Sequence, residues 1–262
     1  MKIADFKKYK LNQQKISMLT CYDFSFAQII EKSSIDCILV GDSAAMTMLG
    51  EKSTLNISTE TLAHFVQAVF RGAPSKFLVA DMPFLSFRKG LKPTMDAVEK
   101  LMKAGAQAVK IEGADGNLKL IQHITQSGVP VMGHLGLTPQ SIHALGGFKV
   151  QGRNPEAFDK ILKDSIALEE AGCFSIVLEC VPSALGKSIT QSVSVPTIGI
   201  GAGSDTDGQV LVLQDMLGMN PEFKPLFLRH YLNGRDLILK SFEKFHQDVQ
   251  SHSFPSKKES YE

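Results

Sequence analysis

The chain alternates between short apolar runs and longer segments in which apolar residues recur at helical spacing. Eight of the short runs are four or five residues long and almost continuously apolar, which is typical of strands covered on both faces of a parallel sheet. These predicted strands are 16–20, 37–40, 77–80, 108–111, 129–132, 174–178, 197–200 and 209–213. The segments between and after them predict helices at 25–32, 58–71, 94–104, 117–127, 155–171, 183–191 and 236–249.

Capping residues at the ends of these segments support the predicted helices. Glycines follow four of them at C-cap positions, and Asn154-Pro155 reads as an N-cap with proline at the first helical position. Regular alternation of eight strands with helices predicts a (β/α)₈ barrel. A doubly wound open sheet is the alternative, because a linear pattern carries no information on closure. We expect one catalytic domain over residues 1–250 and a polar, mobile tail over 251–262.

Composition removes several classes of function. Apolar residues make up 44% of the chain and charged residues 21%, and 28 basic residues face 27 acidic ones. This balance predicts a globular protein that has no nucleic-acid partner, since phosphate binding needs a clustered basic surface. No run of about 18 apolar residues predicts a membrane span, and the lysine-rich start is unlike a secretory signal. The four cysteines show no C-x-x-C spacing and lie in or beside apolar runs, which predicts reduced thiols and a cytoplasmic location.

The candidate chemistry lies where the apolar runs end. Five different runs are closed by an ionisable residue: Asp42, Asp81, Glu112, His134 and Glu179. In a (β/α)₈ barrel the C-terminal edge of the strands carries the active site. Carboxylates gathered there repel one another, and a hard divalent cation would offset the repulsion. Oxygen ligands without cysteine favour Mg²⁺ or Mn²⁺ over Zn²⁺. The alternative for any single residue is that it caps the following helix.

Lys110 precedes Glu112 by two residues, so both side chains project from the same face of one strand. A buried ammonium needs a charged partner, and the nearby carboxylates could supply one. The lysine could then grip a carboxylate or carbonyl of a substrate. A structural ion pair and a Schiff-base nucleophile are the alternatives, although acidic neighbours keep a lysine protonated and oppose the second.

At these same positions the chain resembles the ketopantoate hydroxymethyltransferase family, from about residue 5 to about residue 245. The string G-H-L-G-L-T-P-Q at 133–140 is the most specific motif. The other motifs are V-G-D-S at 40–43, D-M-P-F at 81–84, V-K-I-E-G at 109–113, K-V-Q-G-R at 149–153, L-E-C-V-P at 178–182, I-G-I-G-A-G at 198–203 and D-G-Q-V-L at 207–211. Ala44-Ala45 departs from the family pattern, in which a larger residue is followed by glycine.

The resemblance implies a barrel of the phosphoenolpyruvate/pyruvate type and a homo-oligomer, typically a decamer. It implies conversion of 3-methyl-2-oxobutanoate and 5,10-methylenetetrahydrofolate, with water, to 2-dehydropantoate and tetrahydrofolate, the first committed step of pantothenate biosynthesis. The resemblance also implies three sets of site residues: acids that hold Mg²⁺, residues that bind the substrate, and a glutamate that acts as the base. By position these are Asp42, Asp81 and Glu112 for the metal; Asp42, Ser43, Asp81, Lys110 and His134 for the substrate; and Glu179 for the base.

Three other functions stay open at this stage. The first is another Mg²⁺-dependent 2-oxo-acid lyase or mutase of the same barrel group. The second is a metal-free aldolase that forms a Schiff base on Lys110. The third is a barrel without catalytic activity that binds a small acid or scaffolds an assembly.

Overall fold

The computed structural model describes residues 1–261 and contains a closed barrel of eight parallel strands. The strands follow one another in chain order around the barrel, and β1 pairs with β8 to close it, with Ile16 beside Gly208. The predicted barrel is therefore confirmed over the open sheet. The strands are β1 (Ile16–Thr20), β2 (Cys37–Val40), β3 (Phe77–Asp81), β4 (Ala108–Glu112), β5 (Val131–Gly136), β6 (Ser175–Glu179), β7 (Thr197–Ile200) and β8 (Gly208–Leu211).

The strand bounds differ from the predicted ones mainly at the C-terminal ends. Three strands extend to include the acid that follows the apolar run, so Asp81, Glu112 and Glu179 are the last residues of β3, β4 and β6. The largest shift is in β5, which starts two residues later than predicted and continues to Gly136. Its extension passes through two glycines and His134, which an apolar pattern cannot distinguish from a turn.

Helices connect the strands, and two further helices follow the last strand. They are α1 (Ile3–Leu11), α2 (Phe24–Glu31), α3 (Ala44–Leu49), α4 (Thr59–Gly72), α5 (Leu91–Lys103), α6 (Leu118–Gln126), α7 (Ile142–Leu145), α8 (Pro155–Glu170), α9 (Ser183–Ser192), α10 (Leu213–Met216) and α11 (Gly234–Gln250). Three 3₁₀ turns lie at Thr54–Asn56, Pro139–Ser141 and Lys257–Glu259. The predicted cap of α8 is present, since the side chain of Asn154 accepts a hydrogen bond from the backbone N–H of Ala157 (2.7 Å).

The first helix, α1, closes the N-terminal end of the barrel and has no counterpart among the predicted elements. Its only buried side chain is Phe6, which makes edge-to-face contacts with Phe77 and Phe174 at centroid distances of 5.2 and 4.9 Å. One buried aromatic residue in a lysine-rich segment produces almost no helical periodicity. Tertiary packing stabilises α1, and the pattern of residues along the chain does not reveal such packing.

Alternation along the strands sorts the barrel interior into an apolar and an ionisable part. On β3, the interior positions Phe77 and Val79 are followed by Asp81, and on β4, Ala108 is followed by Lys110 and then by the last residue of the strand. Side chains two residues apart share one face of a strand. The apolar positions therefore fill the N-terminal half of the barrel, and the charged positions gather at its C-terminal mouth.

The chain divides into two compact units, 1–212 with the barrel and a second that begins at Leu213. The second contains α10 and α11 and ends with the 3₁₀ turn within the predicted tail. The domain boundary at residue 250 and the mobility of the tail stay predictions. Among residues 1–261, no helix is both long enough and apolar enough to cross a membrane.

Candidate active site

The register between neighbouring strands brings the predicted residues together at the mouth of the barrel. Asp81 of β3 lies beside Lys110 of β4, and Glu112 of β4 lies beside His134 of β5. Paired residues of parallel strands project to the same face, so all four side chains enter the barrel. All four are buried. Side chains from three strands thus form one polar cluster over the apolar interior.

The ammonium of Lys110 lies among the carboxylates. Its Nζ is 2.9 Å from Asp81 Oδ1 and 4.0 Å from Glu112 Oε1, and the side chain is 4% exposed. Burial acts to lower the pKa of Lys110, but Asp81, Glu112 and Asp42 outweigh it and hold the pKa above its usual value. The surrounding carboxylates therefore favour the protonated form of Lys110.

Asp42 joins the cluster from the loop after β2. Its backbone N–H donates to Asp81 Oδ2 (2.9 Å), which fixes the loop against β3. Burial, followed by repulsion from Asp81 and Glu112, raises the pKa of Asp42 well above its usual value. The close approach favours glycine before it, because a Cβ at Gly41 would lie 3.3 Å from Asp81 Oδ2 and 2.9 Å from Ser43 Oγ.

His134 connects this cluster to Glu179. Its Nδ1 lies 3.1 Å from Lys110 Nζ and 3.3 Å from Glu112 Oε1, and its Nε2 lies 3.3 Å from Glu179 Oε2. Burial and the Lys110 ammonium act to lower the pKa of His134, but Glu112 and Glu179 outweigh them and raise it to about 9. Glu179 is the most accessible of these groups, with 19% of its side chain exposed. Glu179 is therefore the member of this network that solvent reaches most easily.

Sequence reasoning assigned no role to Gln140, although it ends the most specific motif. Its Nε2 donates to Asp42 Oδ2 (2.8 Å) and to the carbonyl of Met82 (2.9 Å), and its backbone N–H donates to Glu112 Oε2 (3.0 Å). One residue thus positions two of the three predicted metal acids. A 3₁₀ turn after β5 supplies it, and its only signal in the sequence was its place in the G-H-L-G-L-T-P-Q string.

Ser43 lies at the start of α3, where a second missed residue holds it. The hydroxyls of Ser43 and Tyr22 are 2.7 Å apart, and Tyr22 is fully buried. The unusual Ala44-Ala45 pair forms the first turn of α3 and is also fully buried. The small side chains let this short helix pack closely behind Ser43.

The acids suit a hard cation, but they do not form a complete cage. Among residues 1–261, no group of three or more His, Cys, Asp or Glu side chains is arranged to hold a metal ion. Glu112 Oε1 is buried and accepts no hydrogen bond from the described residues. Burial raises the pKa of Asp42, and so does repulsion from Asp81 and Glu112, which a divalent cation would relieve. Mg²⁺ commonly binds through one or two carboxylates and keeps waters and substrate oxygens as its other ligands. The chemistry of these oxygen donors therefore fits Mg²⁺, which Asp42, Asp81 and Glu112 would hold.

This arrangement defines a class of protein: a (β/α)₈-barrel enzyme with a cluster of ionisable side chains at the C-terminal mouth. A buried cation such as Lys110 can anchor an anionic substrate, and the more accessible carboxylate of Glu179, which contacts His134, can accept a proton. The sequence model of ketopantoate hydroxymethyltransferase matches residues 1–257. The chain belongs to this family, and it is a hydroxymethyltransferase.

Curated relatives agree over nearly the whole chain. The 3-methyl-2-oxobutanoate hydroxymethyltransferase of Bdellovibrio bacteriovorus is 62% identical over 259 residues, which cover 99% of this chain and 98% of the relative. The protein of the same name from Coxiella burnetii is 57% identical, over 97% of this chain and 96% of the relative.

Solved structures with low sequence identity share the fold. A phosphonopyruvate hydrolase, solved as a complex with oxalate and Mg²⁺, has a TM-score of 0.63 at 14% identity and covers 99% of this chain and 93% of its own. A 2,3-dimethylmalate lyase of the PEP mutase/isocitrate lyase superfamily also has a TM-score of 0.63, at 12% identity, covering 94% of this chain and 88% of its own. These two likenesses show the fold, and they agree with the predicted (β/α)₈ barrel.

Proposed function

We propose that the chain transfers a hydroxymethyl group from 5,10-methylenetetrahydrofolate to C3 of 3-methyl-2-oxobutanoate, yielding 2-dehydropantoate and tetrahydrofolate for pantothenate biosynthesis. Membership of the family supports the reaction. The observation that carries the mechanism is the unbroken series of contacts from Asp81 through Lys110 and His134 to Glu179. This series of contacts supports the assignment of Lys110 as the anchoring cation and of Glu179 as the base of one site.

Each residue has a role that follows from its position. The ammonium of Lys110 and the hydroxyl of Ser43 bind the carboxylate end of the 2-oxo acid. Glu179 accepts the proton from C3, and the electron pair of that C–H bond moves into an enolate. His134, whose pKa is raised, lies 3.3 Å from Glu179 and balances its charge.

Carbon–carbon bond formation completes the reaction. The enolate carbon bonds to the methylene carbon of the folate, whose C–N bonds break as the amines of tetrahydrofolate take up protons. Water supplies the oxygen of the new hydroxyl group. A divalent ion, Mg²⁺ or alternatively Mn²⁺, held by Asp42, Asp81 and Glu112, would polarise the keto oxygen and thereby acidify C3.

The charge state of Lys110 separates this function from the Schiff-base alternative. Nucleophilic attack on a carbonyl needs a neutral amine, whereas the carboxylates of Asp81, Glu112 and Asp42 hold the pKa of Lys110 above its usual value. Trapping with borohydride in the presence of substrate should therefore give no covalent adduct. A lyase of the same barrel group would instead cleave 2-methylisocitrate-like acids without folate.

We also propose a cytoplasmic homo-oligomer, with a decamer as the expected form. The apolar side chains of α11 support association, since Phe242 and Phe245 are 65% and 58% exposed. Light scattering coupled to size exclusion should give a mass that is a multiple of 28.6 kDa, ten times that of one chain for a decamer.

The reaction is tested with purified protein, 3-methyl-2-oxobutanoate and 5,10-methylenetetrahydrofolate, by following tetrahydrofolate and 2-dehydropantoate. We expect turnover with Mg²⁺ and a loss of at least about 100-fold after treatment with EDTA, which Mg²⁺ reverses. Full activity in EDTA would remove the metal from the mechanism. Absence of product under all metal conditions, with cleavage of 2-methylisocitrate-like acids, would favour the lyase.

A further inference from the structure

A cleft of about 540 Å³ lies between the N-terminal part of α5 and one face of α6, outside the catalytic cluster. Three basic side chains, Arg88, Lys119 and His123, line it together with the apolar side chains of Phe87, Leu91 and Leu120. The combination of aromatic and aliphatic walls with a basic edge fits a ligand that carries both an aryl ring and carboxylates.

The cleft is close to the catalytic mouth because both of its loops start there. Phe87 follows Asp81 by six residues, and Gly116 follows Glu112 by four. A chain spans at most ~3.6 Å per residue, so these lining residues lie within about 22 Å and about 14 Å of the two acids. One extended molecule could therefore reach from the catalytic cluster into the cleft.

Arg88 is held in place as a cation at the cleft. Its Nη2 donates to the carbonyl of Asp115 (2.9 Å), and its guanidinium lies 5.5 Å from the ring centroid of Phe87. Gly116 makes room for it, since a Cβ there would lie 2.7 Å from Arg88 Nη1, and its φ of +70° also favours glycine.

The positive charge of the cleft is not balanced by its own walls. No carboxylate lines it, and among residues 1–261 neither Arg88 nor Lys119 forms an ion pair. The carboxylate of Asp115 is paired with Lys160 instead (2.9 Å). Lys119 and His123 are four residues apart on α6, so they present basic groups one helical turn apart along the same face.

A second cleft, along α5, differs from the first in its balance of charge. It is lined by Lys100 and Lys103, but also by Asp96 and Glu99, and Lys103 forms an ion pair with Glu99. Its charges cancel, whereas those of the first cleft are available to an anion.

We propose that the cleft between α5 and α6 binds the aminobenzoyl-glutamate tail of the folate co-substrate. This inference rests on the proposed function. The aromatic ring packs against Phe87 and Leu120, Arg88 binds the first glutamate, and Lys119 and His123 bind the carboxylates of further γ-linked glutamates. The site thus favours polyglutamylated folates over the monoglutamate.

The test compares KM for methylenetetrahydrofolate as monoglutamate and as triglutamate, in the double variant Arg88→Gln, Lys119→Gln. An exposed ion pair contributes up to about fivefold in affinity. We expect KM to rise about 10-fold for the triglutamate and about threefold for the monoglutamate, with KM for the 2-oxo acid unchanged. The control variant Lys100→Gln, Lys103→Gln removes the same charge from α5 and should leave all three values within twofold of wild type.

A fragment gives a second readout without turnover of folate. Aminobenzoyl-triglutamate should inhibit wild type competitively against the folate, and the double variant should lose about 10-fold in inhibition. Unchanged folate KM in the double variant, or an equal rise in KM for the 2-oxo acid, would overturn the inference. A wild-type protein that turns over the 2-oxo acid with no folate at all would refute the proposed function instead.

Discussion

Replacing Lys110 with methionine removes the only ammonium from the catalytic cluster and keeps a side chain of similar length. The variant leaves Asp81 and Glu112 buried without the cation that lies 2.9 and 4.0 Å from them. Breaking a buried ion pair from one side costs about 3–5 kcal/mol, because the remaining charge stays desolvated. In a chain of this size each kcal/mol shifts Tm by a few degrees, so Tm should fall by roughly 6–20 °C in EDTA.

The fall in Tm of the Lys110→Met variant should depend on pH and on the presence of a divalent metal. Without Lys110, and with no metal bound, the mutual repulsion of the carboxylates falls only when one of them binds a proton. Asp42 already favours the protonated form, since its pKa is raised. The variant should therefore lose more stability at pH 8 than at pH 6. Mg²⁺ replaces the missing positive charge, so its addition should reverse part of the decrease in Tm.

Thermal melts followed by circular dichroism, with Lys163→Met as an exposed control, measure these effects. A Lys110→Met variant that melts within about 2 °C of wild type in EDTA, or that ignores both pH and Mg²⁺, would refute the account of the cluster.

Two further predictions concern residues that hold the cluster together. Gln140→Ala removes the amide that donates to Asp42 and to the Met82 carbonyl. We therefore expect the affinity for Mn²⁺, measured by electron paramagnetic resonance, to fall about 10–100-fold. An unchanged Kd for Mn²⁺ would show that Gln140 does not position the metal-site acids. The folded-state pKa of His134 is about 9 against an ordinary 6.5, so its contribution to stability is complete below pH 6.5 and is lost as pH rises through about 9. Urea midpoints in EDTA should therefore fall between pH 6.5 and 9.5 in wild type and change less in His134→Gln, and equal falls in both proteins would contradict the assignment.

Sequence patterns predicted the barrel strands well because strands covered on both faces carry a continuous apolar signal. The same signal does not extend to closure, which depends on pairing between Ile16 and Gly208, residues almost 200 positions apart. It also misses α1, which is held by the buried ring of Phe6 and by the ion pair of Lys10 with Asp207. Elements held by long-range contacts of a few side chains leave no periodicity in the chain.

The candidate site was predictable to the extent that its residues end strands. Asp81 and Glu112 do so, and the register of the barrel then brings them together. Gln140 and Tyr22 lie in a turn and a loop, where no strand pattern points to them, and their roles follow only from hydrogen bonds to residues more than 20 positions away.

The central claim is that Glu179 removes the proton from C3 of the 2-oxo acid. It is tested most directly by proton NMR of 3-methyl-2-oxobutanoate in deuterium oxide with Mg²⁺, comparing wild type, Glu179→Gln and the control Glu170→Gln on the exposed surface of α8. We expect wild type and the control to exchange the C3 proton at equal rates and Glu179→Gln to be slower by about 10²–10⁴-fold, while folded and able to bind Mn²⁺. Exchange by Glu179→Gln at the wild-type rate would contradict the claim.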